Sequence, residues 1–223
     1  MPDRTDHTNQ TPRFAADVLR GAVFDYGGVI TPPMSQMRTT PPPGVDPEQL
    51  RAAFTSMMAH GNPDSAWARV ERGEITLAAF GDAMDALAPG AGAAFGDLDN
   101  TPVRNLWPRQ EMTSRIAKIR ASGIATALCT NNIAEFRPIW SSRMELDVLF
   151  DHVVDSSAVG TRKPEPAIYQ HVLTLLELPA ANVIFVDDMQ ANLDAAAALG
   201  YQTLLVGEAD DHFAVLDRLF GLQ

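Results

Sequence analysis

The sequence has one cysteine, two lysines and no apolar run of membrane-spanning length, and each shortage excludes a class of protein. Cys129 has no second cysteine to pair with, and its place inside an apolar run predicts a buried thiol without a redox or zinc role. A membrane helix needs about 20 apolar residues, which no stretch supplies. The first twenty residues are polar, so no hydrophobic signal segment is recognised. These features predict a cytoplasmic protein without a membrane partner.

Positive charge is scarce as well. The chain has 28 acidic against 17 basic residues, a formal net charge of −11, so we do not expect a nucleic-acid partner. Fifteen of the basic residues are arginines, which makes the positions of the two lysines, Lys118 and Lys163, informative. The 223 residues are 46% apolar, enough for a buried core in one large domain or in a domain that carries an insert.

Five short apolar runs have the length of β-strands, and most are rich in β-branched or aromatic residues. They are Gly21 to Phe24, Ile124 to Cys129, His152 to Val154, Val183 to Val186 and Thr203 to Val206. Helical periodicity fills most of the gaps, as in residues 111–123, where Gly123 suits the left-handed position after a helix. Strands that alternate with helices predict parallel pairing through right-handed crossovers. The expected fold is therefore a three-layer, Rossmann-like α/β core.

The segment between the first two predicted strands is far longer than one crossover requires, and it opens with proline clusters. Residues 46–61 and 75–90 within it have helical periodicity, and no comparably strong strand pattern occurs there. We therefore predict a small helical insert over residues 32–107 and an α/β core formed by residues 14–31 and 108–223. Residues 1–13 are polar and aperiodic, as expected of a disordered tail.

Polar residues follow four of the predicted strands. In an open parallel sheet ligands bind beyond the carboxyl ends of the strands, so these residues are expected along one edge of the sheet. They are Asp25 after the first strand, Thr130, Asn131 and Asn132 after the second, Lys163 in the loop beyond the third, and Asp187 and Asp188 after the fourth, with Asn192 four residues on.

This set of side chains favours phosphoryl transfer assisted by a metal ion. Paired carboxylates and other oxygen ligands suit a hard cation such as Mg²⁺, while a hydroxyl, backbone amides and a lysine suit a phosphate group. Taken singly, each residue is also compatible with a structural role in a turn, a cap or a solvated surface. Adjacent acids such as Asp187 and Asp188 nevertheless repel one another unless a cation or a donor offsets their charge. Four such signals in order on alternating strands indicate a functional site.

The motifs resemble those of the haloacid dehalogenase-like (HAD) hydrolase superfamily, in particular members with a helical cap after the first strand, which would make the insert over residues 32–107 a cap domain. The likeness covers roughly residues 20–207. The first motif of the family, an apolar run followed by Asp-x-Asp-Gly-(Val/Thr), is similar to VFDYGGVIT, and its second, an apolar run that ends in Ser or Thr, is similar to ALCTNN. Its lysine motif is similar to GTRKPEPAIY, and its acidic fourth motif is similar to VIFVDDMQANLDAAAALG.

The resemblance implies a role for each matching residue. Asp25 would be the nucleophile that becomes an aspartyl-phosphate, and Lys163 would neutralise both Asp25 and the transferring group. The other roles fall into two groups, phosphate binding and metal binding. The substrate phosphate would lie against Thr130, Asn131, Asn132 and Gly28. The Mg²⁺ site would be formed by Asp25, Asp188, Asp187 and the carbonyl of Gly27, with Asn192 in support.

Gly27 departs from the usual pattern of the family. Most of its phosphatases have an aspartate there, which protonates the leaving oxygen and later deprotonates water, a contribution of roughly 10²- to 10⁴-fold. Related phosphatases with glycine at this position exist, so the substitution indicates altered chemistry. Either the leaving group departs unprotonated, as from an acyl phosphate, or an acid of the cap such as His60, Glu71 or Glu74 reaches the site.

Three functions are compatible with the sequence. The first is a Mg²⁺-dependent phosphatase that acts on a small phosphorylated metabolite and accumulates aspartyl-phosphate at Asp25. The second is a non-catalytic phosphate-binding or regulatory protein, for which Gly27 is the main support. The third is a 2-haloacid dehalogenase, which attacks carbon and uses no metal, and which the acidic pair Asp187 and Asp188 disfavours. The substrate cannot be identified from sequence.

Overall fold

The computed structural model of the chain describes residues 18–33, 44–58, 62–96, 102–207 and 211–222. The predicted tail, residues 1–13, and His60 lie outside these ranges. All five predicted strands are present, and each end lies within one residue of the prediction. The strands are β1 (Gly21–Phe24), β2 (Ala125–Thr130), β3 (His152–Asp155), β4 (Val183–Asp187) and β5 (Gln202–Leu205).

Helices occupy most of the remaining described sequence, including both segments with helical periodicity between the first two strands. In the described residues before β2 they are α1 (Pro47–Met58), α2 (Ala66–Glu71), α3 (Leu77–Leu87), α4 (Ala93–Gly96) and α5 (Gln110–Ala121). After β2 they are α6 (Arg137–Ser141), α7 (Leu146–Leu149), α8 (Ser156–Val159), α9 (Pro166–Leu176), α10 (Gln190–Ala198) and α11 (Asp211–Phe220).

The five strands form one parallel sheet in the order β3-β2-β1-β4-β5. Strand β1 is therefore central, with Phe24 opposite Leu128 of β2 on one side and opposite Val186 of β4 on the other. The chain leaves the end of β1 at Asp25 and the ends of its neighbours at Thr130 and Asp187. This register brings the three polar strand ends to one edge of the sheet, as predicted.

Two apolar clusters, one on each face of the sheet, hold this core together. Ala22 and Phe24 of β1 belong to a cluster with α5, α6 and α11, whereas Val23 between them belongs to a cluster with α9 and α10. Alternate residues of a strand point to opposite faces, so both faces of the central strand are covered. The helix–sheet–helix layers confirm the predicted Rossmann-like α/β fold.

Helices α1, α2 and α3 share a third apolar cluster, centred on Phe80 and Met84, and Ile133 after β2 also contributes to it. In the described ranges 44–58 and 62–96 the chain forms helices and turns and no strand. The predicted cap thus has a helical interior of its own, although its limits at residues 32 and 107 remain a prediction. Across the described residues, every helix is too short or too polar to cross a bilayer.

Candidate active site

The loop that follows β1 presents the Asp25 carboxylate at the edge of the sheet. The side chain of Asp25 accepts a hydrogen bond of 2.7 Å from the backbone amide of Tyr26, which begins the loop Tyr26–Ile30. A hydrogen bond of 2.9 Å from the Thr31 amide to the Tyr26 carbonyl closes this loop. Asp25 is 8% exposed, so its carboxylate is held in one orientation with limited access to water.

The two glycines of the loop differ in whether their positions require glycine. Gly28 adopts φ +75°, and a Cβ at this position would lie 2.0 Å from Oδ2 of Asp188, so only glycine permits the contact between this backbone and Asp188. Gly27 has φ −70° and ψ 127°, which any residue adopts, and a Cβ there would meet nothing within 4 Å. The space beside Gly27 is therefore open.

Arg109, which precedes α5, binds the backbone carbonyls of the loop after β1. Its guanidinium donates hydrogen bonds of 2.5 Å and 3.3 Å to the carbonyls of Val29 and Gly28, and its amide donates to the Ile30 carbonyl at 2.7 Å. Sequence reasoning missed this residue, because its backbone partners lie about 80 positions earlier in the chain and no motif marks an arginine that binds backbone carbonyls. Arg109 fixes the loop where the predicted cap rejoins the core.

Lys163 bridges the ends of β1 and β4. Its ammonium lies 2.8 Å from Oδ1 of Asp25 and 2.7 Å from Oδ2 of Asp187, and the residue is 1% exposed. Burial acts to lower the pKa of Lys163, but the carboxylates of Asp187 and Asp25 outweigh it and raise that pKa above its ordinary value. Lys163 is thus a buried, permanently charged cation in contact with the predicted nucleophile.

Carboxylate oxygens of Asp25, Asp187 and Asp188 lie within 4.8 Å of one another, and three carboxylates face one lysine. Burial raises the pKa of Asp25 to about 7 and that of Asp188 to about 6, and repulsion from Asp187 contributes to both shifts. This unbalanced negative charge and the all-oxygen donor set fit a hard divalent cation. The residues present are therefore compatible with a metal site.

Asp187 differs from the other two acids because protein donors engage both of its oxygens. Oδ2 accepts from Lys163, while Oδ1 accepts from the Met189 amide at 2.8 Å and from Nδ2 of Asn192 at 3.0 Å. Asn192 therefore contacts the predicted site through Asp187. These contacts favour a role for Asp187 in orienting Lys163 more than as a ligand with a free oxygen.

The residues predicted after β2 lie beside this cluster. Thr130 ends β2 and is 2% exposed. The side-chain amide of Asn131 makes two hydrogen bonds of 2.8 Å with the backbone of Lys163. These bonds fix the lysine loop, residues 160–165 between α8 and α9. The backbone amide of Asn132 donates a hydrogen bond of 3.0 Å to Oγ of Ser156, the first residue of α8. Substrate contacts by these three residues remain a prediction.

Two of the three candidate acids of the predicted cap lie in the described residues, and both are engaged. Glu71 is 7% exposed and accepts hydrogen bonds from Nε1 of Trp67 at 2.9 Å and from Nε of Arg162 at 2.5 Å. Glu74 is exposed and pairs with Arg72 and Arg69. In this arrangement neither carboxyl is placed as a substitute for the acid that Gly27 lacks.

Cys129 is buried in the apolar cluster beneath the site, and burial raises the pKa of its thiol to about 12. A thiol that stays protonated in an apolar environment is a poor nucleophile and a poor metal ligand. The prediction of a buried cysteine is confirmed.

Comparison with known proteins gives the family. The sequence model of the haloacid dehalogenase-like hydrolases matches residues 19–200. The chain is 32% identical over 216 residues to the mouse (Mus musculus) protein acyl-CoA dehydrogenase family member 10, covering 91% of this chain but only 19% of that protein. It is 31% identical over 186 residues to the sesquiterpene phosphatase astK of Aspergillus oryzae, covering 82% of this chain and 87% of that enzyme.

Solved structures show the same fold. A HAD family enzyme of Bacteroides thetaiotaomicron, crystallised with magnesium and inorganic phosphate, superposes with a TM-score of 0.57 at 19% identity, over 87% of this chain and 98% of that one. The matched residues include both the loop after β1 and the acidic end of β4. The chain therefore belongs to the haloacid dehalogenase-like hydrolases.

Proposed function

We propose that the protein is a Mg²⁺-dependent phosphatase that hydrolyses a small phosphorylated metabolite through an aspartyl-phosphate at Asp25. The observation that carries this proposal is the contact of the buried Lys163 ammonium with both Asp25 and Asp187, next to the Asp188 carboxylate. A substrate phosphate is an anion, and it can approach an anionic nucleophile only where positive charge offsets the repulsion.

Asp25, Asp188 and the backbone carbonyl of Gly27 would hold the Mg²⁺ ion. When bound, the ion would offset the negative charge of the carboxylates and of the transferring phosphoryl group. The raised pKa values of Asp25 and Asp188 support this assignment, because both shifts reflect buried negative charge that a cation relieves. Asp187 would hold Lys163 in place through the contact between them.

The chemistry of the first step follows from these positions. A carboxylate oxygen of Asp25 forms a bond to phosphorus while the bond from phosphorus to the leaving oxygen breaks, and the leaving oxygen takes that electron pair. Lys163 stabilises the charge on the transferring group, and the Thr130 hydroxyl and the Asn131 backbone amide would bind its equatorial oxygens. In the second step water attacks the aspartyl-phosphate, phosphate is released and the Asp25 carboxylate is regenerated.

Proton transfer is the step for which the described residues provide no obvious group. The space beside Gly27 is open, and both described candidate acids, Glu71 and Glu74, are engaged elsewhere. We therefore infer a preference for substrates whose leaving group departs without a proton, such as acyl phosphates. Slow activation of water would at the same time allow aspartyl-phosphate to accumulate.

Two relatives support the phosphatase assignment. The similar Aspergillus oryzae protein is named a sesquiterpene phosphatase, and the Bacteroides thetaiotaomicron enzyme was solved with magnesium and inorganic phosphate. Both phosphate chemistry and a magnesium-containing HAD fold are thus known among proteins similar to this chain.

The test is a hydrolysis screen over acyl phosphates, sugar phosphates and nucleotides, with released phosphate as the readout and Asp25→Asn as the blank. We expect activity that requires Mg²⁺, disappears with EDTA and is highest for acyl phosphates. Haloacids should be included, because halide release that survives EDTA would identify a dehalogenase instead. Phosphate release that is equal in Asp25→Asn would overturn the assignment of the nucleophile.

The open space beside Gly27 also supports a second candidate function, a phosphate-binding regulatory protein without turnover. This function predicts that inorganic phosphate or a phosphate mimic binds with Mg²⁺ to the parent protein and to Asp25→Asn, while no substrate of the screen is hydrolysed. Hydrolysis by the parent protein excludes it.

A further inference from the structure

A buried ion pair connects the predicted cap to the loop that carries Lys163. Glu71 is the last residue of α2. Its Oε1 accepts a hydrogen bond of 2.9 Å from Nε1 of Trp67, and its Oε2 accepts one of 2.5 Å from Nε of Arg162. The Glu71 side chain is 9% exposed and that of Arg162 is 20% exposed. A charged pair shielded to this degree is screened far less than a surface pair, so its geometry matters.

Arg162 directly precedes Lys163 in the chain, so its position constrains the catalytic lysine. The backbone of Lys163 donates one hydrogen bond to the Asn131 side chain and accepts one from it, and its ammonium is held by Asp25 and Asp187. The Glu71–Arg162 pair adds a third anchor, from the side of the predicted cap. The lysine is therefore fixed by the end of β2, by the acidic cluster and by α2.

Neighbouring contacts show that α2 and the turn after it are docked on the core at this point. Arg72 donates to Oε1 of Glu165 at 2.8 Å, and Oε2 of Glu165 in turn accepts from the Thr161 hydroxyl at 2.9 Å. Gly73 has φ +68°, and a Cβ there would lie 2.5 Å from the Ser157 carbonyl oxygen. The turn after α2 thus packs against the backbone of α8 and contacts Glu165 at the end of the lysine loop.

Loss of Glu71 would change both the charge and the geometry next to Lys163. The partly buried guanidinium of Arg162 would lose its partner, and an unpaired charge in such a place moves toward water when the chain allows it. Such a movement would release the contact between α2 and the loop at Arg162, directly beside Lys163. Burial raises the pKa of Glu71, and the Arg162 guanidinium opposes this shift, which is consistent with a tightly enclosed pair.

We propose that Glu71 and Arg162 form a latch through which docking of the predicted cap positions Lys163 against Asp25. Both are positioning residues in this proposal: they act on the reaction through Lys163 and touch no reacting atom. The proposal rests on the phosphatase function proposed above only for its kinetic consequence. Its structural consequence, a defined position of Lys163, can be measured without any substrate.

The first test uses the scarcity of lysine, because the chain contains only Lys118 and Lys163. Protein labelled with ¹³C and ¹⁵N at lysine should give two sets of side-chain resonances, and Lys118→Arg assigns them. We expect Glu71→Ala and Arg162→Ala to shift the Lys163 resonances and to raise the rate at which Lys163 is reductively methylated by formaldehyde and a borohydride reagent. Peptide mass mapping separates Lys163 from Lys118 and from the terminal amine.

Matched controls separate this effect from a general loss of structure. Arg69→Gln changes an exposed residue of the same helix, one that pairs with Glu74, and should leave Lys163 unaffected. Glu71→Gln keeps the shape and an acceptor oxygen, and should give a smaller shift than Glu71→Ala. Folding of every variant is checked by circular dichroism, and the lysine data are compared only among folded variants.

The second test is kinetic. Misplacement of a catalytic group by about 1 Å can cost up to about 100-fold in rate, so we expect Glu71→Ala to lower kcat by roughly 10- to 100-fold with little change in KM. Glu71→Arg combined with Arg162→Glu should recover part of the loss, because the pair is restored with reversed charges. A purely structural role would lower thermal stability without this split between kcat and KM.

The outcomes are distinguishable. Folded Glu71→Ala with unchanged Lys163 resonances and unchanged methylation would overturn the latch whether or not the protein is a phosphatase. If the variants change the Lys163 resonances and methylation while the parent protein hydrolyses no phosphate substrate, the latch is supported and the proposed function is contradicted. Changed Lys163 behaviour together with lowered kcat would support both.

Discussion

Placing an aspartate at position 27 should turn the protein into a faster phosphatase for substrates with poor leaving groups. The backbone at Gly27 has φ −70° and ψ 127°, and a Cβ at this position meets nothing within 4 Å, so Gly27→Asp introduces neither backbone strain nor a clash of its Cβ. The new carboxyl would stand two residues after Asp25, where the motif resemblance implies a general acid.

The size of the effect follows from the contribution of general acid catalysis. A positioned acid supplies roughly 10²- to 10⁴-fold, which is about 2.7 to 5.5 kcal/mol of transition-state stabilisation. We expect most of this gain for alkyl phosphates such as sugar phosphates, because their leaving alkoxide needs a proton. Acyl phosphates should gain little, because a carboxylate leaves readily without one.

The assay is a series of phosphate esters that differ in the pKa of the leaving alcohol, compared among the parent protein, Gly27→Asp and Gly27→Asn. The parent should show a steep dependence of rate on that pKa, and Gly27→Asp a shallow one. Gly27→Asn has the same shape without an ionisable proton and should behave like the parent. An equal rate increase in Gly27→Asn, or none in a folded Gly27→Asp that still binds Mg²⁺, would refute the role assigned to the open space.

The remaining predictions concern the acidic cluster and the loop after β1. Gly28→Ala should abolish the rise in melting temperature that Mg²⁺ gives the parent, because its Cβ would lie 2.0 Å from Oδ2 of Asp188; an unchanged rise in calorimetry would contradict this. Burial raises the pKa of Asp25 to about 7, above its value in the unfolded protein. Between about pH 4 and pH 7 the folded metal-free protein therefore binds more protons than the unfolded protein, so its unfolding free energy falls as pH rises through that range. Asp25→Asn should remove much of this slope and stabilise the metal-free protein at pH 8 by an amount on the order of a few kcal/mol, which urea unfolding at pH 5 and pH 8 would detect; equal slopes in both proteins would exclude it. Arg109→Ala should lower kcat and the melting temperature together, since it frees the carbonyls of Gly28 and Val29, and a variant with parental kcat would show that the loop holds its shape without it.

The fold was predictable because local patterns and the geometry of parallel sheets agree. Short β-branched runs mark the strands, and the rule that ligands bind beyond the carboxyl ends of parallel strands selects Asp25, Thr130 and Asp187 from the sequence alone. Glycines marked helix ends in the same way, as at Gly123, which has φ +88° after α5.

Features that depend on contacts between distant segments were not predictable. Helices α6 and α7 are only five and four residues long, too short for a periodic signal. The left-handed residue after α9 is Glu177, with φ 54°, where the chain offers no glycine as a marker.

The side-chain partners in the site were also beyond sequence reasoning. The clamp of Asn131 on Lys163 joins positions 32 residues apart, and the pair of Glu71 with Arg162 joins positions 91 apart. Polar residues in a loop can have many partners, and only the packed structure selects one.

Attack of Asp25 on phosphorus is tested most directly by trapping the intermediate. The protein would be mixed with Mg²⁺ and acetyl phosphate labelled with ³²P, quenched in acid within milliseconds to seconds, and digested for mass spectrometry of the peptide that contains Asp25. We predict label on Asp25 in the parent protein, none in Asp25→Asn and none with EDTA. Mg²⁺-dependent release of phosphate with no label on Asp25 at any quench time, and with equal release by Asp25→Asn, would contradict covalent catalysis by this residue.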